Sequence, residues 1–194
     1  MTTKVKICGL STPETLAAAL AHGADFVGLV FFAKSPRNVS LETAQRLADL
    51  ARGRAKIVTL VVDADDQQLG DIARDVLPDY IQAHGKETPA RIAAMRDLTG
   101  IPVYKALRVA TKEDVAQANA YHASAFMLYD AMPPKDSVLP GGNGLAFDWT
   151  ILKDAGHPFM LAGGLTPANV ASAIAVTKAD MVDVSSGVES APGV

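Results

Sequence analysis

The sequence predicts an α/β fold, a closed (β/α)8 barrel of the TIM-barrel class, as a single domain over residues 1–194. Three observations predict it. Short apolar or alternating stretches are followed by helix-patterned stretches along the whole chain, eight strands with seven helices between them. The unit recurs at roughly 25 residues; a doubly wound sheet seldom reaches eight such units, whereas a closed barrel requires them. No linker, charge block or low-complexity tract divides the chain. At 194 residues the chain is shorter than the ~250 typical of the fold, so its loops must be lean.

Strand one is Lys4 to Cys8, where Val5 and Ile7 alternate with Lys4 and Lys6. It stops at Gly9. Helix one follows over Thr12 to His22, with Pro13 in its first turn and Gly23 past its end. Strand two, Phe26 to Phe31, is almost continuously apolar, which fits a strand covered on both faces. It empties into the polar loop Ala33 to Asn38. Ser40 then caps helix two, Leu41 to Ala51. Strand three is Lys56 to Val62, and helix three is Asp66 to Leu77, stopped by Pro78. Strand four is Asp79 to Gln82, followed by the His84-Gly85 turn. Helix four is Thr88 to Leu98, with Gly100 as its stop, and strand five is Val103 to Leu107. Helix five, Thr111 to Tyr121, opens on Thr111 with Asp114 three positions on, close to a capping box. Strand six is Ala125 to Tyr129, ending at Asp130. A long loop, 131–145, carries Gly141-Gly142-Asn143-Gly144. Helix six is weak over Phe147 to Asp154. Strand seven is Phe159 to Ala162, helix seven is Thr166 to Val176 with Thr166 as cap, and strand eight is Met181 to Val184. Ten residues remain after strand eight. A complete barrel needs a helix there, so either the eighth helix is absent or strand eight packs on something else. An exposed apolar groove is expected at that place.

Composition narrows the function. Net charge is −3 and the sequence pI is near 5.8, which gives no electrostatic case for nucleic acid. The longest apolar run, near Phe26 to Ala33, is too short to span a bilayer. No apolar segment precedes strand one, so no secretory signal is expected, and a single cysteine suits a reducing compartment. The expected location is the cytoplasm. No metal-ligand spacing, GxGxxG or phosphate-loop sequence is present, so neither metal nor cofactor is expected.

In a barrel, function collects at the carboxyl ends of the strands. Those ends supply Cys8, the Ser35-Pro36-Arg37 loop, Asp63, Gln82 with His84, Lys105 with Arg108, Asp130, Gly163-Gly164 and Ser185-Ser186-Gly187. The small-residue loops after strands seven and eight suit a phosphate, which backbone N–H groups and a helix N-terminus can hold. Cys8 and Asp130 end strands one and six, on roughly opposite sides of the mouth, an arrangement for paired proton transfer across a small substrate. As an acid Asp130 needs a desolvated setting; as a base Cys8 needs thiolate, which a cation such as Lys6 favours. Taken singly, each has a plainer role: Cys8 as a small core residue, Asp130 as a loop or cap residue, Arg37 as a solvated arginine, Gly163 and Gly164 as turn glycines. Lys105 and Arg108 read as structural or peripheral, and His84 as support for its turn. His22 and His122 fall at helix ends, where histidine complements the dipole.

Taken together, the stretches Lys6-Ile7-Cys8-Gly9, Ser35-Pro36-Arg37, Gln82-Ala83-His84-Gly85, Tyr129-Asp130, Gly141-Gly142-Asn143-Gly144 with Phe147-Asp148-Trp149, Leu161-Ala162-Gly163-Gly164-Leu165 with Asn169-Val170, and Asp183 through Glu189 resemble the N-(5′-phosphoribosyl)anthranilate isomerases of tryptophan biosynthesis. The resemblance runs in order from residue 4 to 189. It departs from the family at Ala83, usually leucine, and at Asn143, usually threonine. It implies a cofactor-free Amadori rearrangement of a small phosphosugar by an aldose–ketose isomerase; monomer and homodimer stay open, since the sequence does not carry the oligomeric state. It further implies Cys8 as general base, Asp130 as general acid, Arg37 on the substrate carboxylate, Gly163, Gly164, Ser185, Ser186 and Gly187 around the phosphate, and Asp183 orienting the substrate. Two alternatives stand beside it. The histidine-pathway Amadori isomerases resemble a barrel whose first strand ends in aspartate, where this chain has Cys8. A phosphosugar-binding barrel without catalysis would have the same phosphate loops.

Overall fold

The computed structural model describes residues 2–132, 148–153 and 155–193. Eight parallel strands close into a barrel in sequence order: β1 Lys4–Cys8, β2 Phe26–Phe31, β3 Lys56–Val61, β4 Tyr80–Ala83, β5 Val103–Val109, β6 Met127–Ala131, β7 Phe159–Leu161 and β8 Met181–Val184, with β8 paired back onto β1. The α-helices are α1 Pro13–Ala21, α2 Leu41–Ala51, α3 Asp66–Asp75, α4 Pro89–Thr99, α5 Lys112–Ala116 and α6 Val170–Thr177. Most begin at the expected caps. Thr12, Ser40, Asp65, Thr88 and Thr111 each accept a hydrogen bond from the backbone N–H three residues on, and Thr111 with Asp114 forms a full capping box.

Four elements differ from expectation. Strand six is displaced by two residues, to Met127–Ala131, because Ser124 holds the preceding turn by accepting from the Lys105 N–H and donating to the Phe126 carbonyl. Asp130 is therefore inside the strand rather than after it. The expected helix five is one short α-helix continued as a 3-10 turn over Gln117–Ala120, and helix six is only a 3-10 turn over Trp149–Leu152. Residues 147 and 154, like the Gly141 to Gly144 loop, lie outside the described residues. Thr166 does not cap a helix: the Asn169 side chain accepts from the Thr166 N–H and donates to the Gly164 carbonyl, which holds 166–169 as a turn and delays α6 to Val170.

Packing follows the two-residue period of the strands. Outward residues such as Ile7, Val27, Ile57 and Ile81 meet the helices. Inward residues at the amino ends of the strands form a plug in which Phe26, Tyr80, Tyr104 and Phe126 contact one another, the Tyr104 and Phe126 rings stacked at 4.4 Å. The interior is thus filled at that end and opens at the carboxyl end.

Among the described residues no α-helix follows β8; a 3-10 turn over Ser186–Val188 takes that place. The groove expected there is present. It encloses about 1020 Å³ including the solvent at its mouth, and Val5, Ile7, Leu10, Ala18 and Val188 are among its walls. No helix among the described residues is long and apolar enough to cross a membrane.

Candidate active site

Two residues apart on β1, Lys6 and Cys8 both face the barrel interior, whereas Val5 and Ile7 face out under the helices. The alternation of strand one was legible, but its polar face is the inside of the barrel: Lys6 is fully buried. Its ammonium donates to Asp183 Oδ1 at 2.9 Å and stands on the same strand face as the Cys8 thiol. Lys6 and Asp183 are register partners on β1 and β8, which brings the two ends of the chain into one ion pair. Burial pulls the Lys6 ammonium down, but Asp183 and the thiol outweigh it and Lys6 is held well above its ordinary value. Burial pushes Asp183 up against the pull of Lys6, so the ammonium is the firm charge of the pair. Burial likewise pushes the Cys8 thiol up, and the Lys6 ammonium opposes it. Gly28 sits in register beside Cys8, and a Cβ there would come 2.8 Å from Sγ, so the neighbouring strand has no side chain where the thiol needs room.

This geometry gives a first expected result. Lys6→Met removes the cation that opposes burial at Cys8, which raises the thiol further; if Cys8 works as a thiolate, the rising limb of activity moves to higher pH. The same change leaves Asp183 buried without its partner, for a loss of about 3–5 kcal/mol of stability. Denaturant melts and kcat/KM measured from pH 6 to 10 read both effects; an unmoved limb refutes the electrostatic role of Lys6.

On β6, Asp130 shares the inward face with Leu128 and is 5 % exposed. Its Oδ1 accepts the Ala131 N–H at 2.8 Å, and Oδ2 lies 3.2 Å from His84 Nε2, close but not aligned as a hydrogen bond. Behind His84 a buried chain continues. The Gln82 amide nitrogen is 2.9 Å from His84 Nδ1, and the Tyr104 hydroxyl donates to Gln82 Oε1 at 2.8 Å. With the Gln82 amide so oriented, Nδ1 accepts and Nε2 carries the proton that faces Asp130. His84 therefore does more than support its turn, which corrects the sequence reading. The turn itself is held by Glu87, whose carboxylate accepts the Gly85 and Asp63 N–H groups and pairs with buried Lys105 at 3.1 Å. Lys105 is structural, as expected; Arg108 reaches the His84 carbonyl at 3.4 Å.

Cys8, Arg37, His84, Asp130, Asp183 and the two small-residue loops line one cleft at the carboxyl end of the barrel, enclosing about 700 Å³ including the solvent at its mouth. Gly163 and Gly164 take left-handed backbone, with φ of 87° and 65°. Opposite them, the Ser185 hydroxyl is buried with no hydrogen-bond partner among the described residues, a donor free for an anion. Every predicted site residue thus reaches the same cleft. Arg37 is not a solvated arginine but 5 % exposed, and its guanidinium pairs with Glu189, an ion pair the sequence reading missed. Tyr104 was missed as well, and Lys6 and Gln82 were named without their partners; all three fall on the inward parity of their strands, the one signal that joins them. Among the described residues no cluster of side chains could hold a metal ion.

Comparison with known proteins agrees with this geometry. The family model described as N-(5′-phosphoribosyl)anthranilate (PRA) isomerase matches residues 5–194. A protein of that name from Rhodopseudomonas palustris (strain BisA53) is 56% identical over 193 residues, covering 98% of this chain and 88% of its own. The crystal structure of phosphoribosyl anthranilate isomerase from Thermotoga maritima superposes with a TM-score of 0.88 at 34% identity, over 99% of this chain and 92% of that one. A structure of the same enzyme in complex with reduced 1-(o-carboxyphenylamino)-1-deoxyribulose 5-phosphate superposes at 0.85 with 33% identity, over 99% and 91%.

Proposed function

Since this chain belongs to the N-(5′-phosphoribosyl)anthranilate isomerase family, we propose that its cleft divides the family's reaction among the residues described above. The reaction is the Amadori rearrangement of N-(5′-phosphoribosyl)anthranilate to 1-(2-carboxyphenylamino)-1-deoxyribulose 5-phosphate, a step of tryptophan biosynthesis. Asp130 gives its proton to the furanose ring oxygen as the C1′–O bond breaks, and the anthranilate nitrogen forms a Schiff base at C1′. The Ala131 N–H and the His84 Nε2–H are placed to receive the carboxylate left behind. The Cys8 thiolate takes the C2′ proton, and the electron pair moves to give an enolamine. The enol proton then leaves oxygen as C1′ gains one, giving the ketone. The thiol's proton returns to Asp130 through solvent, so no net proton is consumed.

Lys6 and Asp183 hold the thiol side of the cleft, where Asp183 orients a sugar hydroxyl. Gly163, Gly164, Ser185, Ser186 and Gly187 take the phosphate through backbone N–H groups and hydroxyls, and the end of Arg37 takes the anthranilate carboxylate. The observation that carries this assignment is the convergence of a thiol, a carboxyl group and an anion loop on one cleft from four separate strands. The small-molecule cleft, the acidic charge balance and the biosynthetic role fit a cytoplasmic enzyme that meets neither nucleic acid nor membrane. Its test is growth: the gene restores a tryptophan auxotroph lacking this isomerase on minimal medium, while a copy carrying Cys8→Ala does not. Failure of the unaltered gene, expressed and folded, overturns the assignment.

A further inference from the structure

Arg37 reaches the cleft already paired. Its Nε and Nη2 donate to Glu189 Oε1 and Oε2, each at 2.6 Å, through the side-on edge of the guanidinium. That uses two of five N–H donors. The end-on edge, Nη1 with the second hydrogen of Nη2, keeps a fork of the same spacing in the same plane, and such a fork suits one more carboxylate. The rest of Arg37 is fixed as well. Its backbone N–H donates to Ser35 Oγ, and its stem passes over Gly9, where a Cβ would come 2.4 Å from Arg37 Cδ. Glu189 in turn follows directly on the Ser186–Val188 turn. A buried arginine with no anionic partner is costly and seeks one; Glu189 supplies it while the end-on fork stays in place.

We propose that Glu189 is a positioning residue: it grips Arg37 side-on so that the end-on edge faces the substrate carboxylate. This rests on the reading of Arg37 as the carboxylate clamp. It also predicts how the site discriminates. With its charge balanced by Glu189, the guanidinium selects by the planar fork rather than by net charge, so a ligand without a planar carboxylate gains little there.

Glu189→Gln tests it, because the amide keeps the shape but turns one acceptor into a donor that opposes Nη2. The expected result is a KM for phosphoribosylanthranilate raised about 5- to 10-fold with kcat within about 2-fold, the pattern of lost uniform binding. Inhibition by inorganic phosphate stays unchanged, since the phosphate loop is not the target. In an Arg37→Ala background, Glu189→Gln has no further effect, because Glu189 acts only through Arg37. A KM that falls overturns the proposal and makes Glu189 a competitor of the substrate. An unchanged KM overturns it too, as does a weaker phosphate inhibition that parallels the KM change. Arg37→Ala alone separates the two failures: an unchanged KM there refutes the clamp itself, whereas a raised KM with an inert Glu189→Gln refutes only the positioning role. A thermal melt of each variant confirms that the barrel is intact.

Discussion

Cys8→Ala lowers kcat by about three to four orders of magnitude, the upper part of the range for a lost general base, and leaves binding of a reduced product analogue within about 3-fold. The size of the effect follows from the site. Cys8 is the only thiol in the chain, and the nearest other acceptor, Asp183, is engaged by Lys6 at 2.9 Å and pushed toward its protonated form by burial. Cys8→Ser gives nearly the same loss, because a hydroxyl gives up its proton far less readily than a thiol in the same place. The pH dependence separates this from a packing defect. In the unaltered enzyme the limb that reports loss of the thiol proton rises toward alkaline pH, since burial holds the thiol up; in both variants that limb disappears. Removing one buried sulfur costs stability on the order of 1 kcal/mol, far too little to account for the loss of rate. Near-normal turnover by Cys8→Ala ends the assignment of the base.

Asp130→Asn lowers kcat by roughly two to four orders of magnitude, because ring opening then has no proton donor at the furanose oxygen. The substitution is close to isosteric. The Ala131 N–H still finds an oxygen at the position of Oδ1, so thermal stability changes by no more than a few degrees. Opposite His84, the new amide presents N–H to the Nε2–H that faces it at 3.2 Å, donor against donor, and the ring must shift. Since only ring opening needs the acid, the variant still exchanges the C1′ proton of the ketone product with deuterated solvent, the reverse of the last step. Cys8→Ala does the same, but neither variant carries the substrate through to product. Full activity of Asp130→Asn removes the carboxyl group from the mechanism and transfers attention to His84.

How much of this was legible beforehand depends on the kind of information involved. Strand two, helix two and strand eight were placed correctly to the residue, because continuous apolar runs, a Ser cap and a following loop are written in neighbouring residues. Element ends were less secure where a side chain far along the chain set them. Strand six moved because Ser124 bridges the Lys105 N–H, and helix seven started late because Asn169 ties back to Gly164. Parity carried a further signal: Lys6 with Cys8 and Tyr104 with Arg108 each share one face of a strand, and His84 follows Gln82 at the same spacing just past β4.

The sequence by itself determined the alternation, the order of the strands and the residues that reach the open end, since period, capping and chain breaking are local properties of neighbouring residues. Only the tertiary structure decided which of those residues meet. Lys6 and Asp183 are 177 residues apart, and Arg37 and Glu189 are 152 apart; closure of the sheet brings β8 beside β1 and sets both pairs. A buried ion pair is chosen by distance and desolvation across the barrel, and neither quantity exists until the barrel has closed.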